Sequence, residues 1–317
     1  MLDSHGRNIH KLRISVTESC QLKCSYCMPE HPNFPKNEEY LSIDEIIYLV
    51  AKLADLGGID QVRLTGGEPL LRKGVGKLIS ILKKIGIPFV GLTTNALLLE
   101  QRVDQLHSYG VDAINVSLDT LNPERFSRMC KQTGLQRVLG GIKAARDLDI
   151  PVKTNTVLIR GENDDEIIPI IKYANEIGVM PRFLELMSIG SGNDQHHYRH
   201  VSYLEVLKKV ERELGTVTII PVPCDSTAML YQVGELRFGI IASENKPFCQ
   251  DCSRLRLSAK GLLFGCLMNS DGFDTREYIR SLEFDEENFV RFLAQVISTK
   301  PLERIIGSEN RMNILGG

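Results

Sequence analysis

The stretch SCQLKCSYCMP, residues 19–29, places three cysteines, Cys20, Cys24 and Cys27, at the spacing C-x3-C-x2-C. It follows a β-rich run, KLRISVT, so the thiols are predicted to lie on a loop after a strand. Iron–sulfur clusters prefer thiolate ligands, and three thiolates on a cube of four irons leave one iron free to bind a small molecule. A structural zinc ion with a fourth ligand from elsewhere, such as His31, is the alternative, although zinc pairs usually have the spacing C-x2-C.

The chain around this stretch alternates β-rich runs with amphipathic runs. Strands are predicted at 11–17, 61–66, 88–94, 112–118, 152–158 and 182–187. Helices are predicted at 42–56, 77–85, 101–108, 123–130, 135–148, 164–177 and 202–214. The first helix begins with a Ser42-x-x-Glu45 capping box. This alternation predicts parallel strands joined by right-handed crossovers, and six such units suit a barrel, complete or incomplete, as well as an open sheet.

Beyond a predicted boundary near residue 215, short strands replace the alternation. They are predicted at 216–220, 229–233, 236–242, 254–258 and 262–265, with a helix at 286–298. This region carries a second triad, Cys249, Cys252 and Cys266, at the spacing C-x2-C-x13-C. All seven histidines precede residue 201, so a closed zinc site here would need a carboxylate or a distant histidine. We therefore favour a second iron–sulfur cluster that is held by these three thiolates.

Composition and charge argue against several classes of protein. The chain has 317 residues and a net charge of −2, which does not suggest a nucleic-acid coat protein or a disordered chain. The N-terminus has no apolar leader and no apolar run reaches about 18 residues, so we expect no membrane contact and a cytoplasmic location. Eight cysteines are too few for a disulfide scaffold. Cys130 and Cys224 are predicted to be small buried hydrophobic residues, and the stretch with His196, His197 and His200 is predicted to be a solvated loop.

Further motifs accompany the first triad. An aromatic residue, Tyr26, precedes its last cysteine, and Gly66-Gly67-Glu68-Pro69 ends the second predicted strand. With these motifs the sequence resembles the radical S-adenosylmethionine (SAM) enzymes. The resemblance implies that the open iron chelates the amino and carboxylate groups of SAM, which one electron cleaves to methionine and a 5′-deoxyadenosyl radical. The positions that it matches to SAM binding are Tyr26, Gly67, Glu68, Thr94, Ser117 and Met187.

The presence of two cysteine triads on one chain points to one particular family within this superfamily. The segments DSHGR, LRISVTESC, VRLTGGEPLLR, VSLDTLNPERF, VLIRGENDDE, RFLELMSIG and PFCQDCSRLRLSAKG follow one another over nearly the whole chain. In this order they resemble the molybdenum cofactor biosynthesis protein A family, the GTP 3′,8-cyclases. The resemblance implies a lyase with two 4Fe-4S clusters and SAM, which converts GTP to 3′,8-cyclo-7,8-dihydro-GTP in the first step of molybdopterin synthesis. The expected α/β fold is an incomplete (β/α)6 TIM-type barrel over 1–215 with a smaller C-terminal α+β cluster-binding region over 216–317.

The family also implies where GTP binds, with its guanine on the open iron of the second cluster. The matching positions are Arg13, Arg63, Lys153, Arg182, Arg254 and Arg256. Guanidinium groups bind phosphate oxygens in pairs, and Arg254 and Arg256 alternate on one predicted strand next to Cys252, so both face one side. Arg254 and Arg256, together with the three cysteines of the first triad, are the predicted catalytic residues. The resemblance further implies that the C-terminal Gly316 and Gly317 insert into the active site, where glycine can approach a ligand closely.

Two departures from the family pattern bear on the placement of GTP. Gln61 stands where the family often has a basic residue, and Phe264-Gly265 replaces the usual polar or basic residue before Cys266. The resemblance also implies a homodimer, an unidentified electron donor and transfer of the product to cyclic pyranopterin monophosphate synthase. Two alternatives stay open: another radical SAM enzyme with an auxiliary cluster, such as a peptide maturase, and a non-catalytic zinc-binding protein.

Overall fold

Six strands and the helices between them form the first part of the fold. The computed structural model describes residues 1–29, 31–35, 37–189, 196–305 and 312–316. The strands are β1 (Lys11–Ser15), β2 (Gln61–Thr65), β3 (Phe89–Thr94), β4 (Ala113–Ser117), β5 (Val152–Leu158) and β6 (Met180–Glu185). The helices are α1 (Ile43–Gly57), α2 (Val75–Lys84), α3 (Val103–Ser108), α4 (Pro123–Cys130), α5 (Leu135–Asp147) and α6 (Ile167–Glu176). Each strand and helix that the sequence predicts in this part is present, with small shifts at the ends.

Helix α1 shows how local sequence sets the ends of a helix. The Ser42 hydroxyl accepts a hydrogen bond from the Glu45 N–H at 3.1 Å, and the Glu45 carboxylate accepts one from the Ser42 N–H at 2.7 Å, which confirms the predicted capping box. At the other end Gly58 takes a left-handed conformation, with φ at 68°, and its N–H donates to the Ala54 carbonyl at 3.0 Å. The side chains that the helix buries between these ends include Ile46, Leu49, Val50 and Leu53.

The second part of the chain is built from shorter elements. Its helices are α7 (His196–Arg199), α8 (Tyr203–Leu214), α9 (Arg276–Ile279), α10 (Glu286–Ser298) and α11 (Met312–Leu315). Its strands are β7 (Thr218–Ile220), β8 (Met229–Val233), β9 (Leu236–Ile241), β10 (Arg254–Leu257), β11 (Leu262–Phe264) and β12 (Phe273–Asp274). Short 3-10 turns occupy Asn37–Glu39, Pro69–Leu71 and Cys249–Asp251.

All of these strands belong to one sheet in the described part of the chain, with the order β12-β11-β10-β1-β2-β3-β4-β5-β6-β9-β8-β7. Strands β1 to β6 are parallel neighbours, as predicted, and β10 and β9 pair in parallel with β1 and β6. Antiparallel pairs complete both edges. The sheet is therefore an incomplete barrel whose two edges are extended by strands from beyond residue 215. The domain boundary at that residue stays a prediction.

Side-chain alternation separates the two faces of the sheet. Leu12 and Ile14 on β1, and Val62 and Leu64 on β2, are at most 1% exposed and belong to the main hydrophobic core. Because successive strand residues point to opposite faces, the residues between them, such as Arg13, face the concave side. No helix in the described ranges has the length and apolarity needed to span a lipid bilayer.

Candidate active site

The concave face of the sheet lines a cavity of about 780 Å³. The predicted SAM-side residues in its wall are Cys20, Cys24, Tyr26, Cys27, Gly67, Thr94, Ser117 and Met187. The predicted GTP-side residues in its wall are Arg13, Arg63, Lys153, Arg182, Cys249, Cys252, Arg254, Arg256 and Cys266. The fold thus brings both triads and all six predicted cations to one space, although they are spread over most of the chain.

The first triad lies on the loop that follows β1. The N–H groups of Cys27 and Met28 both donate to the Cys24 carbonyl at 3.0 Å, which forms a turn between two of the thiols. The GGEP turn packs directly against this loop, since a Cβ atom on Gly67 would lie 2.3 Å from the Ser19 carbonyl oxygen. Only glycine permits this approach, so the cysteine loop and the GGEP turn form one unit.

Glu68 of the GGEP turn is fully buried and holds the end of β3. Its carboxylate accepts hydrogen bonds from the Thr94 hydroxyl at 2.8 Å and the Asn95 N–H at 2.7 Å. It also accepts the Leu70 N–H at 2.9 Å. Burial raises the pKa of Glu68 to about 7, although these three hydrogen bonds lower it. Glu68 therefore fixes Thr94, which lines the cavity, and carries a carboxyl group that titrates near neutral pH.

Tyr26 ties the cysteine loop to the neighbouring strands. Its hydroxyl donates to Asp119 Oδ2 at 2.6 Å, and Asp119 Oδ1 accepts the Val157 N–H at 2.9 Å. Burial raises the pKa of Asp119 to about 6. Because Asp119 follows β4 by two residues, this contact connects the first triad to the carboxyl ends of β4 and β5, where Ser117 also lines the cavity.

The thiols of the first triad lie in surroundings that oppose ionisation. Burial raises the pKa of Cys20 to about 12, and the Glu68 carboxylate contributes in the same direction. Burial and the thiols of Cys24 and Cys20 raise the pKa of Cys27 well above its usual range. Binding to a metal reverses such an effect, because a coordinated thiol is deprotonated outright. Three thiols that face one cavity and need a strong cation to ionise therefore fit an iron–sulfur cluster.

One thiol of the second triad, Cys252, has the opposite electrostatic surroundings, whereas burial and the other two thiols raise the pKa of Cys249. Burial alone would raise the pKa of Cys252, but Arg254 and Lys300 lower it to about 6. The Cys252 sulfur lies 3.7 Å from Nη2 of Arg254 and 3.6 Å from Nζ of Lys300. Arg254 also lies over the Phe248 ring, 4.5 Å from its centroid. Cations therefore surround the second triad, whereas carboxyl groups stand behind the first.

The sulfur arrangement bears on the choice between a cluster and a zinc ion. Among the described residues, no three His, Cys, Asp or Glu side chains are grouped so as to hold one metal ion. In a 4Fe-4S cluster each thiolate binds a different iron, so the three sulfurs stand further apart than the ligands of a single ion. In the described residues neither triad therefore forms the single-ion zinc site that the sequence spacing left open.

Three arginines stand side by side on neighbouring strands of the cavity wall. Arg256 on β10 is in register with Arg13 on β1, which is in register with Arg63 on β2. Burial lowers the pKa of Arg13 well below its usual range, and the neighbouring guanidinium groups lower it further. Burial lowers the pKa of Arg63 to about 10 and that of Arg182 to about 9. Arg63 and Arg182 therefore remain charged at neutral pH, and repulsion between the guanidinium groups of this wall predicts an anionic ligand.

Room for one of these cations comes from a glycine on the next strand. Gly91 on β3 is in register with Arg63, and a Cβ atom at this position would lie 2.8 Å from the guanidinium carbon. The same guanidinium lies over the Phe89 ring, 5.5 Å from its centroid. The head of Arg63 is therefore held against β3 inside the cavity.

The C-terminal tail reaches the same arginine row. Nη1 of Arg256 donates to the carbonyl oxygens of Leu315 and Gly316, the first at 3.2 Å. Gly316 has φ at 75°, and a Cβ atom on it would lie 2.2 Å from Cγ2 of Thr65. Any side chain would therefore displace this part of the tail. Gly317 lies outside the described residues, and the role of both glycines stays a prediction.

One of the two departures from the family pattern, at Gly265, has a local structural explanation. The other, Gln61, lines the cavity and is in register with Lys11 on β1, whose ammonium group pairs with Asp225. A Cβ atom on Gly265 would lie 2.5 Å from Oγ1 of Thr299. Glycine at this position therefore lets the end of α10 approach the loop that carries Cys266.

The prediction of a solvated histidine loop is wrong for two of its residues. His196 begins α7, its side chain is 12% exposed, and its Nε2 lies 2.7 Å from the Leu186 carbonyl oxygen. His200 is 16% exposed and lies 4.0 Å from Glu185. Long-range partners of this kind leave no local trace in the sequence. Residues 190–195 and the side chain of His197 lie outside the described part of the chain.

Several residues near the triads are not predicted from the sequence to take part in the site. Cys130 is buried, as predicted, but its thiol is hydrogen-bonded to the Cys24 thiol and raises the pKa of Cys24. Cys224 is exposed, so the prediction of a buried residue is wrong there. Arg7 and Lys300 both contact the loops of the second triad. The sequence gives one indication that Arg7 is functional, because it belongs to the DSHGR segment. It gives no such indication for Lys300.

Comparisons with known sequences concern the family to which the chain belongs. The Radical SAM superfamily model matches residues 14–174, and the model described as Molybdenum Cofactor Synthesis C matches residues 179–304. A protein named GTP 3′,8-cyclase from Aquifex aeolicus is 39% identical over 299 residues, which cover 92% of this chain and 90% of that protein. One of the same name from Synechocystis is 36% identical over 319 residues, which cover 100% and 95% of the two chains.

Comparison with solved structures concerns the fold. The crystal structure of Streptococcus suis SuiB bound to S-adenosylmethionine superposes with a TM-score of 0.63 at 14% identity, over 91% of this chain and 67% of SuiB. SuiB bound to its precursor peptide SuiA gives a TM-score of 0.66 at 15% identity, over 94% and 67% of the two chains. At this identity the likeness shows a shared fold and nothing about substrate.

Proposed function

The chain belongs to the family of GTP 3′,8-cyclases within the radical SAM superfamily, and we propose that it converts GTP to 3′,8-cyclo-7,8-dihydro-GTP. This is the first step of molybdenum cofactor biosynthesis. The observation that carries the proposal is the single cavity lined by two cysteine triads together with six cations. Carboxyl groups lie beside the first triad, and cations surround the second. This difference suits two clusters that bind different ligands.

We assign the first triad, Cys20, Cys24 and Cys27, to the cluster that binds SAM. A cluster bound at these thiols would supply the electron that cleaves SAM to methionine and a 5′-deoxyadenosyl radical, which would take the hydrogen atom from C3′ of GTP. After C3′ bonds to C8 of guanine, one further electron from the electron donor and one proton would be needed to give the 7,8-dihydro product. The residues of this chain bind and orient SAM. We propose that the Glu68 carboxylate accepts a hydrogen bond from its amino group, because Glu68 is an ionisable acceptor held rigidly by three donors. The remaining SAM contacts are proposed for Tyr26, Gly67, Thr94, Ser117 and Met187.

We assign the second triad, Cys249, Cys252 and Cys266, to the cluster that binds guanine, and the surrounding cations to the triphosphate. The arginine row is supported by its place in the cavity wall and by the register of neighbouring strands. Guanidinium forks match phosphate oxygens in geometry and charge, and several cations are needed for the charges of a triphosphate. The proposed triphosphate contacts are Arg13, Arg63, Lys153, Arg182, Arg254 and Arg256. Gly316 and Gly317 are proposed to close the substrate site.

The wider setting of the enzyme follows from the family. We propose that residues 1–215 serve SAM cleavage and that 216–317 hold the second cluster, although their strands share one sheet. We further propose a homodimer, a separate electron donor that is still unidentified, and transfer of the product to cyclic pyranopterin monophosphate synthase. A cytoplasmic location would keep the six ligand thiols reduced.

A peptide maturase with an auxiliary cluster is the second candidate, because SuiB shares the fold. Its 15% identity contrasts with 39% to a GTP 3′,8-cyclase. The cation row also has no evident use for a peptide substrate. A non-catalytic zinc protein is disfavoured by the membership of the family of GTP 3′,8-cyclases and would be colourless with about two zinc ions per chain.

The test is anaerobic reconstitution followed by incubation with SAM, dithionite and GTP. We expect about eight iron atoms per chain from two 4Fe-4S clusters, and formation of 5′-deoxyadenosine that depends on GTP. Cys20→Ala should abolish SAM cleavage, whereas Cys252→Ala should retain the first cluster and lose the cyclised nucleotide. Turnover by an iron-free, zinc-loaded preparation, or SAM cleavage that depends on a peptide and not on GTP, would contradict the proposal.

A further inference from the structure

Lys300 is a buried cation placed against the second triad. It follows the end of α10 and is 3% exposed. Its Nζ atom donates to the Arg254 carbonyl at 2.6 Å, to the Gly265 carbonyl at 2.9 Å and to the Cys252 sulfur at 3.6 Å. An ammonium group has three N–H donors, so these three acceptors satisfy it completely.

The acceptors of Lys300 lie on the two segments that carry ligand thiols. Arg254 follows Cys252 by two residues and begins β10, and Gly265 immediately precedes Cys266. One ammonium group therefore fixes the backbone beside two of the three cysteines. Its contact with the Cys252 sulfur is of the N–H···S kind that outer residues make to cluster ligands.

The backbone around Lys300 is itself held in place. Nη2 of Arg7 donates to the Lys300 carbonyl at 3.2 Å, and Nη1 donates to the carbonyls of Pro301 at 2.9 Å and Cys249 at 2.6 Å. Nε of Arg7 lies 2.6 Å from Oδ2 of Asp3 in a buried ion pair. The third cysteine of the triad is thus linked to the same segment, and all three ligand loops meet at Lys300 and Arg7.

The charge of Lys300 differs from that of Arg7 in one respect. Asp3 balances Arg7, whereas the acceptors of Lys300 in the described part of the chain are two carbonyls and a sulfur. A positive charge that is not cancelled stabilises the reduced, more negative state of a nearby cluster. Hydrogen bonds to cluster sulfurs act in the same direction.

From this geometry we propose that Lys300 is a positioning residue for the second cluster: it fixes the loops of Cys252 and Cys266, and its charge raises the reduction potential of that cluster. The inference rests on the proposed function, because it assumes a cluster on the second triad. Lys300 is not among the described residues that line the cavity. Its effect is on the metal site and is measurable without turnover.

The experiment isolates the second cluster. Cys20, Cys24 and Cys27 are changed to Ala together, so that any remaining cluster belongs to the second triad. In this background Lys300→Met removes charge and donors, and Lys300→Gln removes the charge but keeps an N–H donor. The matched control is Lys260→Met, because Lys260 is an exposed lysine whose Nζ pairs with Glu39 at 3.1 Å. Redox titration followed by electron paramagnetic resonance gives the potential, and iron release to a chelator gives the stability of the site.

We expect Lys300→Met and Lys300→Gln to lower the potential relative to Lys260→Met, and Lys300→Met to release iron several times faster. If Lys300→Met does not retain a cluster, Lys300→Gln alone decides the potential. Potentials and release rates equal to the control would overturn the inference while leaving the second cluster intact. Absence of any iron in the triple Ala protein itself would overturn the assignment of the second cluster, and this inference with it.

Discussion

Replacing Glu68 with glutamine removes one negative charge from behind the first triad while almost preserving the shape of the side chain. Oε1 of Glu68 accepts hydrogen bonds from the Leu70 N–H at 2.9 Å and the Thr94 hydroxyl at 2.8 Å. Oε2 accepts the Asn95 N–H at 2.7 Å. A glutamine keeps one acceptor oxygen, but its NH2 group faces a donor on the other side. The substitution therefore tests charge and hydrogen bonding at one position.

Without SAM, Glu68→Gln has two opposing effects on the free energy of unfolding. Burial raises the pKa of Glu68 from 4.5 to about 7, so ionisation destabilises the folded protein by about 3 kcal/mol at pH 8. This destabilisation is absent below the unfolded pKa and grows by about 1 kcal/mol between pH 6 and pH 8. Glutamine removes it but leaves a buried polar group unpaired, at a cost of about 1–3 kcal/mol. We therefore expect the two proteins to be equally stable at pH 8 within about 2 kcal/mol.

Binding of SAM should respond far more strongly. A hydrogen bond from the SAM amino group to a carboxylate contributes about 1.5–3 kcal/mol, so its loss should raise the Kd for SAM roughly 10- to 150-fold. The assay is anaerobic equilibrium binding of labelled SAM to the reconstituted protein, with urea unfolding measured in parallel. The control is Glu166→Gln, because Glu166 is also buried and accepts from the Thr120 hydroxyl and from the Leu121 N–H at 2.6 Å. A Kd for SAM within twofold of the wild type in folded Glu68→Gln would refute the assignment.

Other substitutions separate the parts of the site. Gly67→Ala should displace the loop of the first triad, because the new Cβ atom would lie 2.3 Å from the Ser19 carbonyl oxygen; iron analysis should show loss of the first cluster alone. Arg256→Ala should weaken GTP binding roughly 10- to 150-fold, as expected for a charge-assisted hydrogen bond, and leave the Kd for SAM unchanged in equilibrium binding. Gly316→Val should unseat the tail, since its Cβ atom would lie 2.2 Å from Cγ2 of Thr65; we expect more 5′-deoxyadenosine per cyclised nucleotide, and an unchanged ratio would contradict this role.

The first six strands and their helices were predictable because their signals are local. Alternating side chains within β1 and β2, and the capping box of Ser42 and Glu45, act within a few residues of the chain. The pairing of β10 with β1 was not predictable in this way. The run RLRLS resembles part of a β-meander, and its parallel pairing with β1 depends on contacts between distant parts of the chain. This pairing brings the second triad to the barrel.

In the site, too, local patterns were predictable from the sequence and contacts between distant segments were not. The six cysteines are recognisable because a cluster demands thiolates at close and regular spacing. Lys300 has no such constraint: a lysine before a proline is typical of an ordinary surface charge. It is buried because distant segments, which carry Arg254 and Gly265, pack against it. The contact between Cys130 and Cys24 likewise joins α4 to the loop after β1. Residues that support the ligands therefore become visible only once the fold is known.

The arginine row makes a further prediction about the stability of the protein. Arg13, Arg63 and Arg256 lie side by side and half-buried in the cavity wall, and desolvation and mutual repulsion lower the pKa of Arg13. The ligand-free protein holds these charges at a cost that a triphosphate would relieve. GTP at about 100 times its Kd should then raise the free energy of unfolding by about 2.7 kcal/mol, seen as a higher Tm. Guanosine retains the base but not the phosphates, so it should stabilise much less at equal concentration, and GTP should lose its advantage as salt is added. Equal stabilisation by guanosine and GTP would show that this row is not the triphosphate site.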